Sequence, residues 1–305
     1  MQLEDQLQHY FGFSSFRPLQ KEIVQEVLAG KHAVAILPTG SGKSLCYQLP
    51  ALLSPGITIV ISPLISLMKD QVDSLVQRGV SAVAVTSHDT ADEGRSKLAA
   101  LSRGEVKLLF AAPERLQNQA FLAALRDAAL PVSLLAVDEA HCVSQWGHDF
   151  RPEYRQIPDF HRAIGQPPLL ALTATARPSV QSDLQQQLGV PEARVFKASA
   201  DRPNLWFGVD HCQSEAEREA KLAHLIRRAN GSAIIYVTSR KEADHWADAL
   251  SAALGERVLC YHGGMGADER TAVQNQFMTD QVRVVVATNA FGMGIDKPDI
   301  RLVLH

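Results

Sequence analysis

The sequence predicts an α/β protein built as two parallel-sheet domains in tandem, and three observations carry that prediction. Short uninterrupted apolar runs recur along the chain, helix-forming stretches separate them, and the same alternation starts afresh after a polar break near residue 200. Runs without apolar-polar alternation describe strands covered on both faces, as parallel strands between two helix layers are.

In the first series the runs are Ala33–Leu37, Ile57–Ile61, Ala82–Val85, Lys107–Ala111, Leu134–Val137 and Leu169–Leu172. Helical stretches are expected at Leu19–Leu28, Ser66–Gln77 and Ser179–Leu188, the last bracketed by Pro178 and Gly189 in the usual order of start and stop signals. The second series has runs Ala233–Val237, Val258–Tyr261, Val282–Ala287 and Arg301–Leu304, with helices expected over Glu215–Arg228, Lys241–Leu254 and Ala267–Phe277. The junction falls in Ala198–Asn204, so the expected domains are residues 1–200 and 201–305. A length of 305 residues suits about two domains. Tandem lobes are expected to enclose a cleft, and such clefts are favoured ligand sites.

Composition narrows the class without choosing a substrate. Hydrophobic content of 46% is that of an ordinary globular protein. The net charge is −3, and residues 1–200 carry 18 basic against 19 acidic side chains, residues 201–305 carry 12 against 14. Neither half is a basic tail, so any grip on nucleic acid must be local. No apolar run reaches the ~18–20 residues of a membrane span, and no secretory leader is visible. The four scattered cysteines suggest neither a zinc site nor a disulfide framework. A cytoplasmic or otherwise intracellular protein, without membrane partners, is expected.

Two motifs carry chemistry. Pro38-Thr39-Gly40-Ser41-Gly42-Lys43-Ser44 follows the first run and opens the apolar segment Leu45–Leu53. A glycine-rich turn lets backbone N–H groups curl round phosphate oxygens, and a following helix adds its positive end. Lys43 would reach the β- and γ-phosphates of a nucleotide, and the Ser44 hydroxyl would sit on Mg2+. Asp138-Glu139-Ala140-His141 follows the run Leu134–Val137, at the strand end where open α/β sheets bind ligands. Asp138 would hold Mg2+ and Glu139 would act as general base on the attacking water. Two adjacent acids also describe a solvated turn with a capping Asp; the phosphate turn favours the catalytic reading.

With these motifs in hand, the chain resembles the RecQ family of superfamily 2 DNA helicases almost from end to end. The most specific stretch is Ala140-His141-Cys142-Val143-Ser144-Gln145-Trp146-Gly147-His148-Asp149-Phe150-Arg151-Pro152-Glu153-Tyr154, similar to that family's aromatic-rich loop after the acidic box. The resemblance implies that Trp146 and Phe150 stack on bases of single-stranded DNA and that Arg151 pairs with phosphate. By themselves Trp146, Phe150 and Tyr154, four apart, equally describe a core-facing helical stripe.

Phe16-Arg17-Pro18-Leu19-Gln20 resembles the family motif in which Gln reads the adenine edge and Arg lies against the base, which implies ATP, with Arg17, Gln20 and Thr39–Ser44 around it. Ser62-Pro63-Leu64-Ile65-Ser66 and Ala112-Pro113-Glu114-Arg115-Leu116 resemble strand-contacting motifs, and Leu172-Thr173-Ala174-Thr175-Ala176 one whose hydroxyls link nucleotide and strand sites. In the second half Tyr236-Val237-Thr238-Ser239-Arg240, Tyr261-His262-Gly263-Gly264-Met265 and Ala287 to Pro298 match in the same way. They imply strand contacts at Ser62, Ser239, Arg240 and Thr288, and a nucleotide or coupling contact at Asp296.

The resemblance implies two RecA-like domains, ATP and Mg2+ as ligands, and single-stranded and partly duplex DNA as partner. It also implies 3′-to-5′ translocation in recombination and repair; a monomer is expected. Two departures are visible: Leu37 stands where the strict phosphate motif has Gly, a position superfamily 2 helicases relax, and the chain ends at His305, where the family continues into an arginine-rich motif. The second domain is therefore expected to be incomplete, and the chain to hydrolyse ATP and unwind weakly.

Overall fold

The structure is a computed structural model that describes residues 2–87, 89–128, 131–144, 150–174, 178–199, 204–292 and 297–305, without the side chains of 66, 178, 179 and 267. The chain divides into two compact units, Met1–Asn204 and Leu205–His305.

In chain order unit 1 contains α1 (Leu3–Phe11), α2 (Gln20–Leu28), β1 (Ala33–Ile36), α3 (Leu45–Leu53), β2 (Ile57–Ile61), α4 (Ile65–Gln77), β3 (Ala82–Val85) and α5 (Ala91–Ser102). It continues with β4 (Leu108–Ala111), α6 (Gln119–Arg126), β5 (Val132–Val137), α7 (Ile157–Ala163), β6 (Leu169–Thr173), α8 (Pro178–Gln187) and β7 (Arg194–Lys197). The seven strands form one sheet in the order β3-β4-β2-β5-β6-β1-β7, every pairing parallel.

The sheet is covered on both faces, as the uninterrupted apolar runs require. Ile57, Ile59 and Ile61 of β2 join a core with Leu101 of α5, Phe121 of α6, Phe160 of α7 and Leu184 of α8. Val60, on the opposite face, joins Ile23 of α2, Tyr47 of α3 and Met68 of α4. Side-chain alternation along each strand thus feeds two layers, and both are apolar. Helix α1 closes the end of the second layer through Leu7 and Phe11, packed with Val24, Leu45 and Leu49.

Unit 2 contains α9 (Glu215–Arg228), β8 (Ser232–Tyr236), α10 (Arg240–Leu254), β9 (Val258–Tyr261), α11 (Ala267–Met278), β10 (Val284–Ala287) and β11 (Ile300–Leu304). Its sheet runs β11-β8-β10-β9, again parallel. α9 and α10 cover one face through Ile226, Trp246 and Leu250, and α11 covers the other through Val273 and Phe277. α10 carries its own boundaries: a capping box of Ser239 with Glu242 at its start, and Gly255 at φ 69° at its end. Among the described residues no helix is long and apolar enough to cross a membrane.

The structure adds elements that the runs do not announce. β7 has only Phe196 of its four residues buried, because it is an edge strand. α1, α5, α6 and α7 are further helices outside the expected stretches.

Close strand contact explains one glycine. A Cβ on Gly56, just before β2, would meet the carbonyl oxygen of Pro131 at 2.2 Å and Ser133 Cβ at 2.9 Å, where β2 pairs with β5. Backbone atoms in the sheet cannot step aside as a side chain can. Gly56→Ala is therefore expected to lower stability by about 2–3 kcal/mol, read from denaturant melts of the two proteins.

Candidate nucleotide and nucleic-acid site

β1 delivers the phosphate turn. Leu37 continues the ladder, its N–H donating to the Thr173 carbonyl of β6 at 3.0 Å. The chain then turns through Gly40 and Gly42, both at φ 78°, a conformation that residues with a Cβ rarely adopt. Gly42 has a second constraint, since a Cβ there would stand 2.6 Å from Gln20 Nε2. Leu45 N–H and Cys46 N–H bond back to the Gly42 and Lys43 carbonyls, so α3 starts directly from the turn. Thr39 and Gly40 are exposed, Ser41 to Ser44 half-buried, and Lys43 Nζ makes one long contact, 3.4 Å to the Leu37 carbonyl. The Ser41 hydroxyl is buried without a hydrogen-bond partner.

The residues expected around the adenine hold this turn. Gln20, the first residue of α2 and buried, donates from Nε2 to the Ser41 and Gly42 carbonyls at 2.9 and 3.0 Å and accepts the Arg17 N–H at 2.8 Å. The Arg17 guanidinium donates to the Gly40 carbonyl. Both the donor and the acceptor side of the Gln20 amide are therefore engaged with backbone in this structure.

β5 delivers the acids to the same edge of the sheet. Only β6 lies between β1 and β5, so their ends are roughly 10 Å apart at parallel-strand spacing. The Asp138 N–H donates to the Ile61 carbonyl of β2 at 2.8 Å, which fixes the acid at the strand end. Glu139 sits in the left-handed region at φ 46° and ψ 45°, a backbone state that a non-glycine residue holds only at a cost and that recurs at functional sites. Its N–H caps Asp138 Oδ1 at 3.0 Å. A 3-10 turn, Ala140–Val143, follows.

A buried imidazole ties the acids to β6. His141 Nδ1 lies 2.9 Å from Thr173 Oγ1 and 3.2 Å from Glu139 Oε2. Ile36 and Thr173 are register partners, so this chain of contacts ends beside the root of the phosphate turn. From below, the fully buried Tyr154 donates its hydroxyl to the Asp138 carbonyl at 2.9 Å.

Burial pushes the Asp138 carboxyl up to about 6, and the Glu139 charge pushes in the same direction. The Glu139 N–H, Lys43 and His141 pull it back. A folded value above the unfolded one of about 3.9 means that the folded chain binds the proton more tightly between pH 4 and 6. Ionised Asp138 thus weakens the fold above pH 6, and the penalty fades as pH falls toward 4. Asp138→Asn is expected to stabilise the nucleotide-free chain at pH 7.5 by on the order of 1–2 kcal/mol, with the gain vanishing near pH 4; melts of both proteins at the two pH values test it. The Tyr47 hydroxyl, which donates to Gln71 Oε1 at 3.5 Å, is pushed up by burial and by the Asp138 charge against the pull of Ser44. Burial likewise raises the Cys46 thiol to about 12 against the pull of Lys43, leaving it protonated beside the turn.

The strand-contact residues have a different setting. Ser62 is buried after β2, its N–H on the Ala111 carbonyl at 3.2 Å and its hydroxyl without a partner. Arg151 bridges two loops, its guanidinium donating to the Pro63 carbonyl at 3.1 Å and its N–H to the Cys142 carbonyl at 3.0 Å. Phe150 is half-buried with the Arg155 guanidinium 5.0 Å above its ring, so one aromatic face is already covered. Trp146, Thr175 and Asp296 lie outside the described residues.

In unit 2 the Ser239 hydroxyl caps α10, accepting the Glu242 N–H at 3.2 Å and donating to the Glu242 carboxylate at 3.1 Å. Arg240 is exposed and lies along Gly264, where a Cβ would meet its side chain at 3.0 Å. Thr288 is buried at the end of β10, its N–H on the Tyr261 carbonyl at 3.1 Å. Within unit 1, then, Arg17, Gln20, Thr39–Ser44, Asp138 and Glu139 share one region. Tyr47 and Tyr154 support it from the core; the core-facing stripe anticipates the burial of Tyr154, and nothing in the sequence around Tyr47 signals its part.

A parallel sheet whose carboxyl edge holds a glycine-rich phosphate turn beside an acid pair defines a P-loop nucleotide-binding protein. The DEAD/DEAH box helicase profile matches residues 17–184 and the helicase conserved C-terminal domain matches residues 217–305. Over 304 residues the chain is 41% identical to the probable ATP-dependent DNA helicase RecS of Bacillus subtilis, covering 99% of this chain and 60% of that protein. Over 301 residues it is 44% identical to the ATP-dependent DNA helicase RecQ of the same organism, covering 98% of this chain and 50% of that one. The chain thus spans about half the length of such relatives. A solved structure of the Mycobacterium smegmatis helicase Lhr bound to ssDNA and AMP-PNP shares the fold, with TM-score 0.70 at 20% identity over 98% of this chain and 43% of that one. The chain belongs to the DEAD/DEAH box helicase family, and over 98–99% of its length it is similar to the RecQ and RecS helicases.

Proposed function

We propose that the chain is the motor core of an ATP-dependent DNA helicase that couples ATP hydrolysis to 3′-to-5′ movement along single-stranded DNA. The observation that carries this reading is the convergence at one sheet edge of the phosphate turn, the Asp138-Glu139 pair and the Glu139-His141-Thr173 contact chain. Lys43 and the turn's N–H groups bind the triphosphate, and Glu139 takes the proton of the water that attacks the γ-phosphorus as the bond to the bridging oxygen breaks. The donor set fits Mg2+: the Ser44 hydroxyl and the Asp138 carboxylate are hard oxygens, and burial without full pairing leaves Asp138 in want of a cation. When bound, the ion neutralises phosphate charge.

His141 joins the base to the Thr173 hydroxyl, so a strand contact that shifts the turn carrying His141, to which Arg151 is bonded, is transmitted to Glu139. Arg151, Ser62 and the aromatic loop supply that contact in unit 1, and Arg240 and Thr288 supply one in unit 2. The grip contacts backbone phosphates and base faces, and so carries no sequence preference. A role in recombination and repair, on partly duplex DNA, is part of the same proposal and rests on the resemblance to the RecQ family.

ATP turnover with single-stranded DNA and with RNA of the same sequence tests this reading. Stimulation by DNA beyond that by RNA is expected. Stimulation by RNA alone would mark an RNA helicase, and strand binding indifferent to nucleotide, without turnover, a passive binding or annealing module; either result overturns it.

A further inference from the structure

Unit 2 gathers three side chains of unlike chemistry at one end of its edge strand. Cys260 lies in β9, His262 in the turn that follows, and Asp244 on α10, which packs across the strand. The thiol sulfur, an imidazole nitrogen and a carboxylate oxygen all fall within 4.8 Å of one another. His262 Nε2 is 3.2 Å from Asp244 Oδ1, and its buried Nδ1 has no hydrogen-bond partner. Glu269, in the first turn of α11, adds a second negative charge within electrostatic reach of the thiol.

We propose that Asp244, Cys260 and His262 bind a divalent transition-metal ion of the zinc type. One sulfur, one nitrogen and one oxygen form a donor set that such borderline-soft ions take and magnesium does not. The site is thereby distinct from the hard-oxygen pair Ser44 and Asp138 of unit 1. Bond lengths of ~2.0–2.3 Å put two ligands of one tetrahedral ion ~3.3–3.8 Å apart. The three donor atoms, all within 4.8 Å of one another, lie close enough for side-chain rotation to bring them to that spacing. Charge also balances, since thiolate and carboxylate together cancel the two positive charges of the ion.

Without an ion the thiol stays protonated: burial, then the hydrogen bond to Asp244, push it up to about 11. Binding therefore forms a metal-sulfur bond and releases the thiol proton to solvent, about one per ion at neutral pH. Three protein ligands leave a coordination position for water, so the ion is exchangeable and not a condition of folding. Once bound, it ties α10, β9 and the turn into α11 together.

Cobalt titration of the whole chain, followed by absorbance, tests the proposal. A saturable one-to-one signal with a thiolate-to-cobalt charge-transfer band is expected, displaced by zinc and accompanied by proton release. Cys260→Ala should abolish the band, and Asp244→Asn and His262→Gln should weaken binding about tenfold or more. Cys212→Ala removes the other partly exposed thiol and should change nothing. Melting curves and a Cys260→Ser variant separate lost binding from lost folding. A band that survives Cys260→Ala, a band lost in Cys212→Ala, or no saturable binding by the unaltered chain overturns the proposal.

Discussion

Replacing Lys43 with alanine is expected to lower ATP turnover by at least about 10²-fold, the usual effect of deleting one fixed positive partner of a developing phosphate charge. The variant should fold normally, because the ammonium's hydrogen bond to the protein is a long one, 3.4 Å to Leu37. A second effect follows from the same charge. Lys43 helps hold the Asp138 carboxyl down, so its removal lets burial and Glu139 push that carboxyl higher. Mg-nucleotide binding should then require a higher pH in Lys43→Ala than in the unaltered chain. Steady-state ATPase assays and nucleotide titrations between pH 5.5 and 8 read both effects, and unchanged turnover would remove the phosphate turn from the mechanism.

Replacing Glu139 with glutamine is expected to cost about 10²- to 10⁴-fold in turnover, the range for a missing general base. Binding should move in the opposite direction from that in Lys43→Ala. Glutamine keeps the shape of the side chain and an oxygen facing His141, but it removes the negative charge that disfavours ionised Asp138. The Asp138 carboxyl then falls, and Mg-nucleotide is retained to lower pH. A variant that binds well and turns over slowly identifies Glu139 as the base. Equal losses in binding and turnover would make it a structural residue instead. The opposite pH shifts of the two variants provide an internal control, since a general disturbance of the turn would move both the same way.

Much of the fold could be read from the chain because parallel strands buried on both faces leave an unbroken apolar signature. Ile57–Ile61 and Ala82–Val85 match their strands residue for residue, and Glu215–Arg228 matches α9. β7 escaped because three of its four residues face solvent at a sheet edge, where neither run nor alternation is long enough to register. The candidate site was legible in parts. The phosphate turn and acid pair are local, with each motif's geometry set by its own glycines or by the strand before it. The engagement of Gln20 with the turn's carbonyls was not legible, since an amide that matches adenine matches a peptide group equally well. The role of Ser239 as a helix cap was available in the spacing Ser239-x-x-Glu242, which the strand-contact reading passed over. The group at Asp244, Cys260 and His262 had only an alternating Cys-x-His as its sign, because its third member comes from a helix earlier in the chain.

By itself the sequence determined which segments end in phosphate-binding or acidic chemistry, because strand, turn and cap preferences act over a few residues. Only the tertiary structure decided that these ends meet. Strand order depends on how distant segments pack, and the order β3-β4-β2-β5-β6-β1-β7 leaves a single strand, β6, between the turn and the acids. That one neighbour, with Thr173 at its tip, turns two separate motifs into one site.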